Sequence, residues 1–553
     1  MIGVIARADE HAWVREFFEL FKTPWEFHRA ARSYDVVLCA DGAAREPGAK
    51  LVLIFGGAAN PFDAELGLQS GAVQSNVTVE HDGSPVPIHG NCLAFGRGEL
   101  PLAGTQGFAA VSQSRNGQQL VRVGFDLFAE TRELLTRGQD ARHARVPTLD
   151  HLIAMVRGWM VRAGIRFVEI PPVPAGYCFT ACLTHDVDHP RIRHHKFDHT
   201  MLGFLQRAVV GSVVGICRGR LSPGQLGRNW LAVLKLPFVH LGLAKDFWKQ
   251  TERYLELEKG LGSTFFVVPT KQNPGRSVNR NHSDRRATLY EAADIADDLR
   301  TINAAGGEVG VHGIDAWLDG ASGRAERERV AKAAGTAGGG VRMHWLCFDE
   351  KSPAALEAAG FSYDSTVGYN ECAGYRAGTL QVYRPAGAEQ LLELPLHVMD
   401  TALFYPGYMN LSPQDATAAV QELLGHAGRF GGVLTINWHD RSLAPERLWD
   451  RFYVKLLDEL RRQRAWCPTA GQAVGWFRHR RSAQIEVLPG ADSRLRVRVK
   501  LAPRQKNLPG LRIRFHNAPG QNGPASGPVD VEFGDDFSEV GEVLEPPVGG
   551  VAG

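Results

Sequence analysis

The sequence predicts an α/β protein built around a βα-barrel, with an α/β domain before the barrel and a small β-rich module after it. Three observations indicate this fold class. Short apolar runs alternate with amphipathic helical stretches through most of the chain, which is typical of parallel strands covered by helices. Several of these runs end abruptly in aspartate or histidine. The last stretch changes to short alternating strands rich in glycine, proline and asparagine.

Length and composition narrow the class further. A chain of 553 residues is too long for one ordinary core and suggests about three domains. The 62 basic and 60 acidic residues nearly cancel, so nothing indicates binding to nucleic acid. The eight cysteines lack paired or zinc-finger spacing and no signal peptide is seen, so we predict a cytoplasmic protein with reduced thiols. No apolar run reaches the about 20 residues of a membrane span, so we predict no transmembrane segment.

The first domain is predicted over residues 1–165. Helical spacing at 11–21 and 148–164 alternates with strand-like runs at 2–6, 35–39, 51–55, 75–80 and 120–125. Such alternation indicates a parallel sheet with helices on its faces. The segment Gly-Phe-Asp-Leu-Phe at 124–128 resembles small flavodoxin-like or amidotransferase-like domains, a resemblance that concerns the fold alone.

The barrel is predicted over residues 175–481, after the stiff joint Pro-Pro-Val-Pro at 171–174. A helical insertion at 190–258, rich in histidine, arginine and apolar residues, interrupts it. We expect ordinary helical packing in this insertion. The alternatives are a shelter over the site, or peripheral membrane contact through 201–243 beside Arg207, Arg218 and Arg220.

The barrel is organised around Leu-Thr-His-Asp-Val-Asp-His at 183–189, where an apolar strand ends. Because side chains alternate along a strand, Asp186 and Asp188 point to the same side. Two adjacent carboxylates repel each other unless a cation lies between them. Two other strand-like runs end in His312 and His439, and a βα-barrel gathers the carboxyl ends of its strands at one face. The sequence therefore predicts a metal site where these strand ends meet.

These residues, taken in order, resemble the polysaccharide deacetylases of carbohydrate esterase family 4, the NodB-homology family, in the branch whose first motif reads His-Asp-Val-Asp. The resemblance covers roughly residues 175–480. It rests on Thr-His-Asp-Val-Asp at 184–188, Ser-Thr-Phe-Phe-Val at 263–267, Gly-Val-His-Gly at 310–313, Gly-Val-Arg-Met-His-Trp at 340–345, Gly-Phe-Ser-Tyr-Asp-Ser-Thr at 360–366 and Leu-Thr-Ile-Asn-Trp-His at 434–439.

The resemblance implies a distorted (β/α)7 barrel that hydrolyses an acetamido or similar C–N bond with one divalent metal, zinc in the first place, or else iron, cobalt or nickel. It also implies roles for matching positions. Asp186 is the general base, Asp188 and His312 are metal ligands, Arg342 orients Asp186, and His439 is the general acid. The chemistry agrees, because amide hydrolysis needs a polarised carbonyl, an activated water and a proton for the leaving amine.

The third metal ligand is left open by a departure from the family pattern. The second motif of the family is His-x-x-x-His, but Ala316 stands four residues after His312. The candidates are His344, Asp315, His185 and His189. We favour His344 because it lies beside another motif residue, with Asp315 as the alternative.

The pocket wall is predicted from a polar aromatic loop and from the flanks of the motifs, which could stack on a sugar and hydrogen-bond to it. The predicted substrate-binding residues are Trp345, Tyr369, Tyr375, Arg376, Asp400 and Trp438. Asp400 follows a strand-like run and is also a candidate to orient His439. Residues 483–540 are predicted to form a small β module that covers the barrel or binds glycan, and residues 541–553 a disordered tail.

The sequence thus predicts a metal-dependent hydrolase that removes an acetyl group from an N-acetylated sugar of a glycan or glycan precursor. With no export signal, the expected carbohydrate is an intracellular intermediate, lipid-linked or nucleotide-linked. One alternative keeps the scaffold and hydrolyses a non-sugar amide or imide. The other is a catalytically inactive glycan-binding protein.

Overall fold

The structure is a computed structural model in which the described part of the chain forms two large sheets with helices and three smaller sheets to which the C-terminal segment contributes. It describes residues 1–40, 48–115, 117–217, 222–276, 285–336, 338–447, 449–488, 495–502, 507–517, 519–520, 523–524, 528–533 and 542–544.

The N-terminal domain is built on a sheet of nine strands in the described residues. The strands are β1 (Ile2–Ile5), β2 (Trp25–Phe27), β3 (Val36–Cys39), β4 (Leu51–Phe55), β5 (Ser70–His81), β6 (Ser84–Phe95), β7 (Glu99–Pro101), β8 (Phe108–Arg115) and β9 (Gln118–Val123), and β10 (Phe167–Glu169) follows them. The helices are α1 (His11–Phe21), α2 (Pro61–Glu65), α3 (Leu127–Thr136) and α4 (Thr148–Arg162). The predicted helix 11–21 is therefore observed with its bounds unchanged.

This sheet is mixed, which corrects the prediction of a parallel one. Its order is β2-β1-β3-β4-β9-β8-β6-β5, with β7 beside β8. The first five strands in this order pair in parallel, whereas β5 to β8 pair antiparallel. The cause is a long hairpin: Asp82 and Gly83 have φ of 50° and 73°, the left-handed pair of a two-residue hairpin turn. The parallel half follows the flavodoxin-like order 2-1-3-4-5, and the assignment to a flavodoxin-like or amidotransferase-like domain stays a prediction.

The second large sheet is parallel and carries the candidate site. Its strands are β11 (Thr180–Val187), β12 (Ser263–Val267), β13 (Glu308–Gly313), β14 (Gly340–Met343), β15 (Tyr363–Asp364), β16 (Leu392–Glu393), β17 (Val398–Met399) and β18 (Val433–Asn437). The order is β16-β15-β14-β13-β12-β11-β18-β17, and every pair is parallel. The edge strands β16 and β17 do not pair with each other in the part of the chain described, so this is an open half-barrel of eight strands and the predicted count of seven is not confirmed.

Helices cover this sheet and explain its uninterrupted apolar strands. They are α5 (His199–Gln206), α6 (Ser212–Cys217), α7 (Pro223–His240), α8 (Thr251–Leu257), α9 (Ala296–Ala304), α10 (Gly320–Ala334), α11 (Ser352–Ala358), α12 (Asp400–Phe404), α13 (Pro413–Phe430), α14 (Asp450–Arg462) and α15 (Ala470–Ser482). All eight residues of β11 and all five of β12 and β18 are buried. Parallel strands buried on both faces read as continuous apolar runs. Polar side chains at the ends of such strands therefore stand out in sequence.

The predicted insertion forms the helices α5 to α7, with the π-helical turn Arg207–Gly211 joining α5 to α6. The helix His199–Cys217, at 19 residues and a mean hydropathy of 1.5, is long and apolar enough by length and composition to cross a membrane. We predicted no such segment, because Arg207 interrupts the apolar run, but the helix continues through that residue. One helix of this kind is weak evidence of a membrane span. Arg218 and Arg220 lie outside the described residues.

The C-terminal segment contributes to three small sheets in the part of the chain described. Its strands are β19 (Gln484–Leu488), β20 (Arg496–Lys500), β21 (Leu511–His516), β22 (Pro519–Gly520), β23 (Gly523–Pro524), β24 (Val529–Phe533) and β25 (Glu542–Leu544). One sheet has the order β19-β20-β25, a second joins β21 and β24 to β10, and the third is the antiparallel pair β22-β23. The single module predicted at 483–540 is thus divided. Strand β25 corrects the predicted disordered tail at 542–544, and residues 545–553 lie outside the described part.

Candidate metal centre and active site

The carboxyl ends of four strands meet at one cavity of about 460 Å³. Strand β11 and the residue after it bring Asp186 and Asp188, β13 brings His312, the turn after β14 brings His344, and the segment after β18 brings His439; all five line the cavity. Parallel strands direct their carboxyl ends to the same side of a sheet. The structure therefore places the acids and histidines of four separate motifs in one space.

Asp188, His312 and His344 form a compact group that could hold a metal ion. Asp188 Oδ1 lies 3.4 Å from His312 Nε2 and 3.4 Å from His344 Nδ1, and the two ring nitrogens lie 2.9 Å apart. A tetrahedral zinc with bonds of about 2.1 Å needs ligand atoms about 3.4 Å apart. Asp188 Oδ1 is buried without a hydrogen-bond partner in the described chain. The donor set and this orphaned oxygen both fit a divalent cation with one carboxylate and two imidazole ligands.

The environment keeps these three groups in the forms that bind metal. Burial lowers the pKa of His344 to about 3, so its ring is neutral and offers a lone pair. His312 Nδ1 lies 3.0 Å from the carbonyl oxygen of Arg342, to which it can donate, leaving Nε2 free to face the cavity. Burial opposes the charge of Asp188, but His344, His312 and His439 outweigh it and hold the pKa of this carboxyl well below its usual value.

Asp186 is a buried carboxylate with two fixed partners. Arg342 Nη1 donates to its Oδ1 at 3.0 Å, and Asn437 Nδ2 donates to its Oδ2 at 2.7 Å. Burial opposes ionisation, but Arg342 and then His312 more than compensate, so the pKa of Asp186 is lowered. Arg342 is itself held by the carbonyl and hydroxyl of Ser365 at 3.0 and 2.9 Å. The result is an ionised carboxylate in one orientation at the wall of the cavity.

His439 forms a pair with Asp400. Its Nδ1 lies 2.6 Å from Asp400 Oδ1, and its backbone N–H donates to Asp400 Oδ2 at 2.7 Å. Its Nε2 faces the cavity, 3.9 Å from Asp188 Oδ2. Burial lowers the pKa of His439, but Asp400, Asp188 and Asp186 outweigh that effect and raise it to about 9. The ring therefore carries a proton at neutral pH and presents it to the cavity.

The other candidates for the third ligand lie in different settings. Asp315 accepts a backbone hydrogen bond from Arg276 at 2.7 Å and is not part of the ligand group. His185 is fully buried on the opposite side of β11, between the carbonyl of Trp438 and Glu258. His189 lines the cavity but has its Nδ1 3.1 Å from a ring nitrogen of His195. His344 is the candidate that the fold brings to Asp188.

Among the predicted wall residues, Trp345 lines the cavity. It is 40% exposed and adopts a left-handed backbone (φ 62°, ψ 21°), a conformation that non-glycine residues adopt mainly where the surroundings impose it. Met399, Thr401 and Asn370 lie on the same wall.

The other five predicted wall residues do not line the cavity, which corrects the prediction. Tyr369 donates to the carbonyl of Gln139 in the N-terminal domain, and Tyr375 is fully buried beside α13. Arg376 donates to the carbonyl of Gly368 and lies over Phe348. Trp438 is fully buried, with its ring stacked 5.0 Å from that of Tyr453. Asp400 reaches the site only through His439.

No family model matches this chain, and no curated protein matches it. Solved structures with partial likeness include a Mycobacterium smegmatis protein named as a polysaccharide deacetylase (18% identity, 56% of this chain and 95% of that one, TM-score 0.34). They also include Puue allantoinase (14%, 55% and 91%, TM-score 0.34) and a family 4 carbohydrate esterase from Streptomyces lividans in complex with acetate (14%, 41% and 86%, TM-score 0.25). Likenesses this low assign no family, so the chemistry of the site follows from its own residues.

Sequence reasoning gave no role to several residues that complete the site. Asn437 fixes Asp186 from the neighbouring strand, and its position two residues before His439 places both at the same strand end. The remaining residues reach the cavity from loops, where no local pattern marks them. They include Arg285, Arg286, Tyr405, Tyr408 and Arg447.

Proposed function

We propose that this protein is a metal-dependent hydrolase that removes an acetyl group from the nitrogen of an N-acetylated sugar. One observation carries the proposal: a one-carboxylate, two-histidine ligand group, an arginine-held carboxylate and a carboxylate-paired histidine all face one cavity. Each is a separate requirement of amide hydrolysis. If each group had only a structural role, there would be no reason for all three to face the same cavity.

The residues divide the work as follows. A divalent cation held by Asp188, His312 and His344 would polarise the acyl carbonyl and lower the pKa of a water molecule. Asp186, ionised and fixed by Arg342, accepts the proton of the attacking water. His439 donates its Nε2 proton to the leaving amine, and Asp400 stabilises the charged ring until that transfer.

The cavity wall supports a sugar as the carrier of the acetyl group. Trp345, Tyr405 and Tyr408 line the cavity and are each about two-fifths exposed, so their ring faces are available for stacking on a sugar ring. Thr401 and Asn370 supply hydrogen-bonding groups on the same wall. This mixture of aromatic faces and polar groups suits a hydroxylated ring better than a small flat imide.

The first experiment is elemental analysis of the purified protein together with an acetate-release assay on N-acetylglucosamine oligomers. We expect close to one divalent metal in the parent and little in Asp188→Asn, His312→Ala and His344→Ala. Asp315→Asn is the matched control, because it removes the other predicted ligand without touching the group, and it should keep its metal. We expect Asp186→Asn and His439→Ala to retain metal and to lower kcat by about 10²–10⁴-fold.

Two outcomes would contradict the proposal. The first is a parent that stays free of metal after incubation with zinc, cobalt, iron or nickel. The second is full metal loading in His344→Ala together with loss in Asp315→Asn, which would move the site away from the cavity. Melting curves by circular dichroism for each variant separate a lost ligand from a lost fold.

A further inference from the structure

Three arginines on the cavity wall have no part in the proposed reaction. Arg207 opens the π-helical turn after α5, Arg441 follows the segment that carries His439, and Arg447 precedes α14. All three line the cavity that holds the catalytic groups. Their side chains come from two distant parts of the chain, so the fold has gathered them.

None of these arginines forms an ion pair with a carboxylate in the described chain, although Glu446 lies near enough to act on Arg207 and Arg447 electrostatically. The Nε atoms of Arg207 and Arg447 are buried without a hydrogen-bond partner in the described chain. Instead, Arg441 lies 5.3 Å from the ring centroid of Trp248, and Arg447 lies 4.9 Å from that of Trp449. A guanidinium that rests on an aromatic face keeps its N–H edge free for an oxyanion.

The fully buried arginines in the described part of the chain have hydrogen-bond partners, whereas the three arginines of the cavity wall are half-buried. Arg342 bonds to Asp186, and Arg122 to Asp63 at 2.7 Å. Arg480 bonds to backbone carbonyls, including that of Ile170. Because burying an unpaired charge is costly, three unpartnered guanidinium groups on one wall indicate an anion supplied from outside the chain.

The local electrostatics agree with a cationic wall. Burial, with Arg441 and Arg207 next in importance, lowers the pKa of Arg447 to about 9, so it is still charged at neutral pH. Two acids adjoin this group in sequence, Glu446 before Arg447 and Asp440 before Arg441. Neither oxygen of Glu446 makes a hydrogen bond in the described chain, and Asp440 accepts from the backbone N–H groups of His189 and Arg441. The three arginines outnumber these two acids. A phosphate group has several oxygens and up to two negative charges, so it can accept hydrogen bonds from several guanidinium groups at once more readily than one carboxylate can.

Arg447 also lines a second groove, which gives the direction of the rest of the ligand. This groove has a volume of about 840 Å³ and runs along α6. Its apolar lining residues include Val214, Phe404, Leu411, Trp449 and Phe452, and its polar lining residues include Gln225, Asn410, Gln414, Thr417, Arg451 and Lys455. A group bound by Arg447 therefore lies between a polar cavity on one side and a groove with an apolar stretch on the other. That is the arrangement expected for a phosphate between a sugar and an apolar chain.

The insertion beside this groove has an outward face that is apolar. On α7 the exposed positions include Leu231, Leu234 and Phe238, at 49%, 70% and 53% exposure, and Leu241 follows the helix at 71%. The residues of α7 buried against the protein, Ala232, Leu236 and Val239 among them, lie on the opposite side. The neighbouring helices add Leu202, Val209, Val210, Val213 and Val214, each 39–58% exposed. A surface helix normally turns polar residues outward.

The charges of the insertion fit an anionic bilayer. Residues 199–245 contain no aspartate or glutamate, and the exposed Arg228, Lys235 and Lys245 lie on or beside α7. An exposed apolar face flanked only by bases is typical of helices that lie in a membrane interface. Because His199–Cys217 packs on α7, this pair suits lying on the membrane rather than crossing it.

We infer that the substrate is an N-acetylated sugar joined through a phosphate to an apolar chain, with Arg207, Arg441 and Arg447 holding the phosphate while α5 to α7 lie on the membrane that contains the chain. The inference rests on the proposed function for the acetyl group. It adds the chemical class of the carrier and the surface from which the carrier is taken.

The phosphate subsite is tested by calorimetric titration with N-acetylglucosamine 1-phosphate and with N-acetylglucosamine. We expect the parent to bind the phosphate ester roughly tenfold tighter or more, since hydrogen bonds between charged groups are worth that much each. Arg447→Met and Arg207→Met should lose most of this preference. Arg300→Met, on the exposed part of α9, is the matched control and should keep it. Equal affinity of the parent for both sugars would overturn the subsite.

The membrane surface is tested by flotation with vesicles of phosphatidylcholine alone and of phosphatidylcholine with phosphatidylglycerol. We expect the parent to float with the anionic vesicles and the double variant Leu234→Glu, Phe238→Glu to stay in solution. Val73→Glu changes an apolar residue of the N-terminal domain that is 48% exposed, and this variant should float. A parent that binds the sugar phosphate but neither vesicle would overturn the membrane part and indicate a soluble phosphate ester. Neither measurement requires hydrolysis, so a failure of acetate release would count against the proposed function alone.

Discussion

The buried pair between Arg342 and Asp186 makes a quantitative prediction about stability. Both side chains are almost inaccessible, and Arg342 Nη1 donates to Asp186 Oδ1 at 3.0 Å. Arg342→Met leaves Asp186 buried with the amide of Asn437 as its remaining side-chain hydrogen-bond donor in the described chain, and with His312 Nε2 4.0 Å away. Breaking a buried ion pair by removing one partner costs about 3–5 kcal/mol. We therefore expect the metal-free variant to lose about that much free energy of unfolding.

The same reasoning predicts partial recovery in a double variant. Asp186→Asn keeps the shape of the side chain and removes the charge that Arg342→Met leaves unpaired. The double variant should therefore be more stable than the sum of the two single losses by about 1 kcal/mol or more, within the usual range for contacting residues. The assay is guanidinium denaturation of chelated protein, followed by tryptophan fluorescence. If the two losses add to within about 0.5 kcal/mol, the pair is not coupled and this account of Asp186 is refuted.

Three further predictions follow from the same contacts. Asp400 raises the pKa of His439, so Asp400→Asn should move the alkaline limb of the kcat–pH profile to lower pH; an unmoved limb would contradict the pairing. Trp438→Ala should cost about 3–5 kcal/mol in denaturant unfolding, since its ring is fully buried, whereas Trp345→Ala at the cavity wall should leave stability nearly unchanged and raise KM. Burial opposes the charge of Glu169, but its arginine and histidine partners outweigh burial and lower its pKa. The stability that Glu169 contributes is therefore present above pH about 4.3 and lost as the pH falls through the lowered pKa. Glu169→Gln should make the melting temperature depend less steeply on acid pH, and an equally steep profile would contradict this prediction.

The candidate catalytic residues could be predicted because they lie at the ends of buried parallel strands. Alternation along β11 put Asp186 and Asp188 on one side, and His312 and His439 end two other apolar runs. A parallel strand that is buried on both faces is apolar along its length. A charged residue at its end therefore indicates that the strand has reached the edge of the sheet. Such residues are visible without knowing the order of the strands. The parallel sheet then brings them together whatever lies between them in sequence.

The pocket wall could not be predicted in the same way, because loop direction is decided by distant contacts. The loop with Tyr369 and Tyr375 has the composition of a sugar-binding wall. In the structure it packs against the N-terminal domain, where Tyr369 donates to the carbonyl of Gln139 and the backbone N–H of Tyr375 donates to the carbonyl of Ala144. Nothing in the local sequence marks that partner.

Pairing between strands that are far apart in the sequence could not be predicted either, for the same reason. Strand β10, which ends the first domain, pairs with β21, and Glu169 lies 3.0 Å from His516 across that pair. The proline-rich stretch that follows β10 was interpreted as a stiff joint between domains. It is instead fixed from several sides, since the carbonyl of Pro172 accepts from Gly432 at 2.7 Å. A domain boundary drawn from composition therefore falls inside a packed interface.

The candidate third metal ligand is positioned by the register between two strands rather than by the spacing of residues on a helix. In the family that the motifs resemble, two histidines one helical turn apart supply neighbouring ligands, and here the second position is Ala316. Strands β13 and β14 pair in parallel with His312 opposite Arg342, so the residue two places after Arg342 comes just beyond the strand end, next to the His312 ring. That residue is His344, and its Nδ1 lies 2.9 Å from His312 Nε2.

The left-handed backbone of Trp345 then turns the chain immediately after His344. If this is why His344 serves, Trp345→Gly should bind metal as the parent does, because glycine adopts that conformation freely, whereas Trp345→Val should bind it less tightly, because a β-branched side chain resists it. Equal metal affinity in the two variants would mean that the turn does not position the ligand.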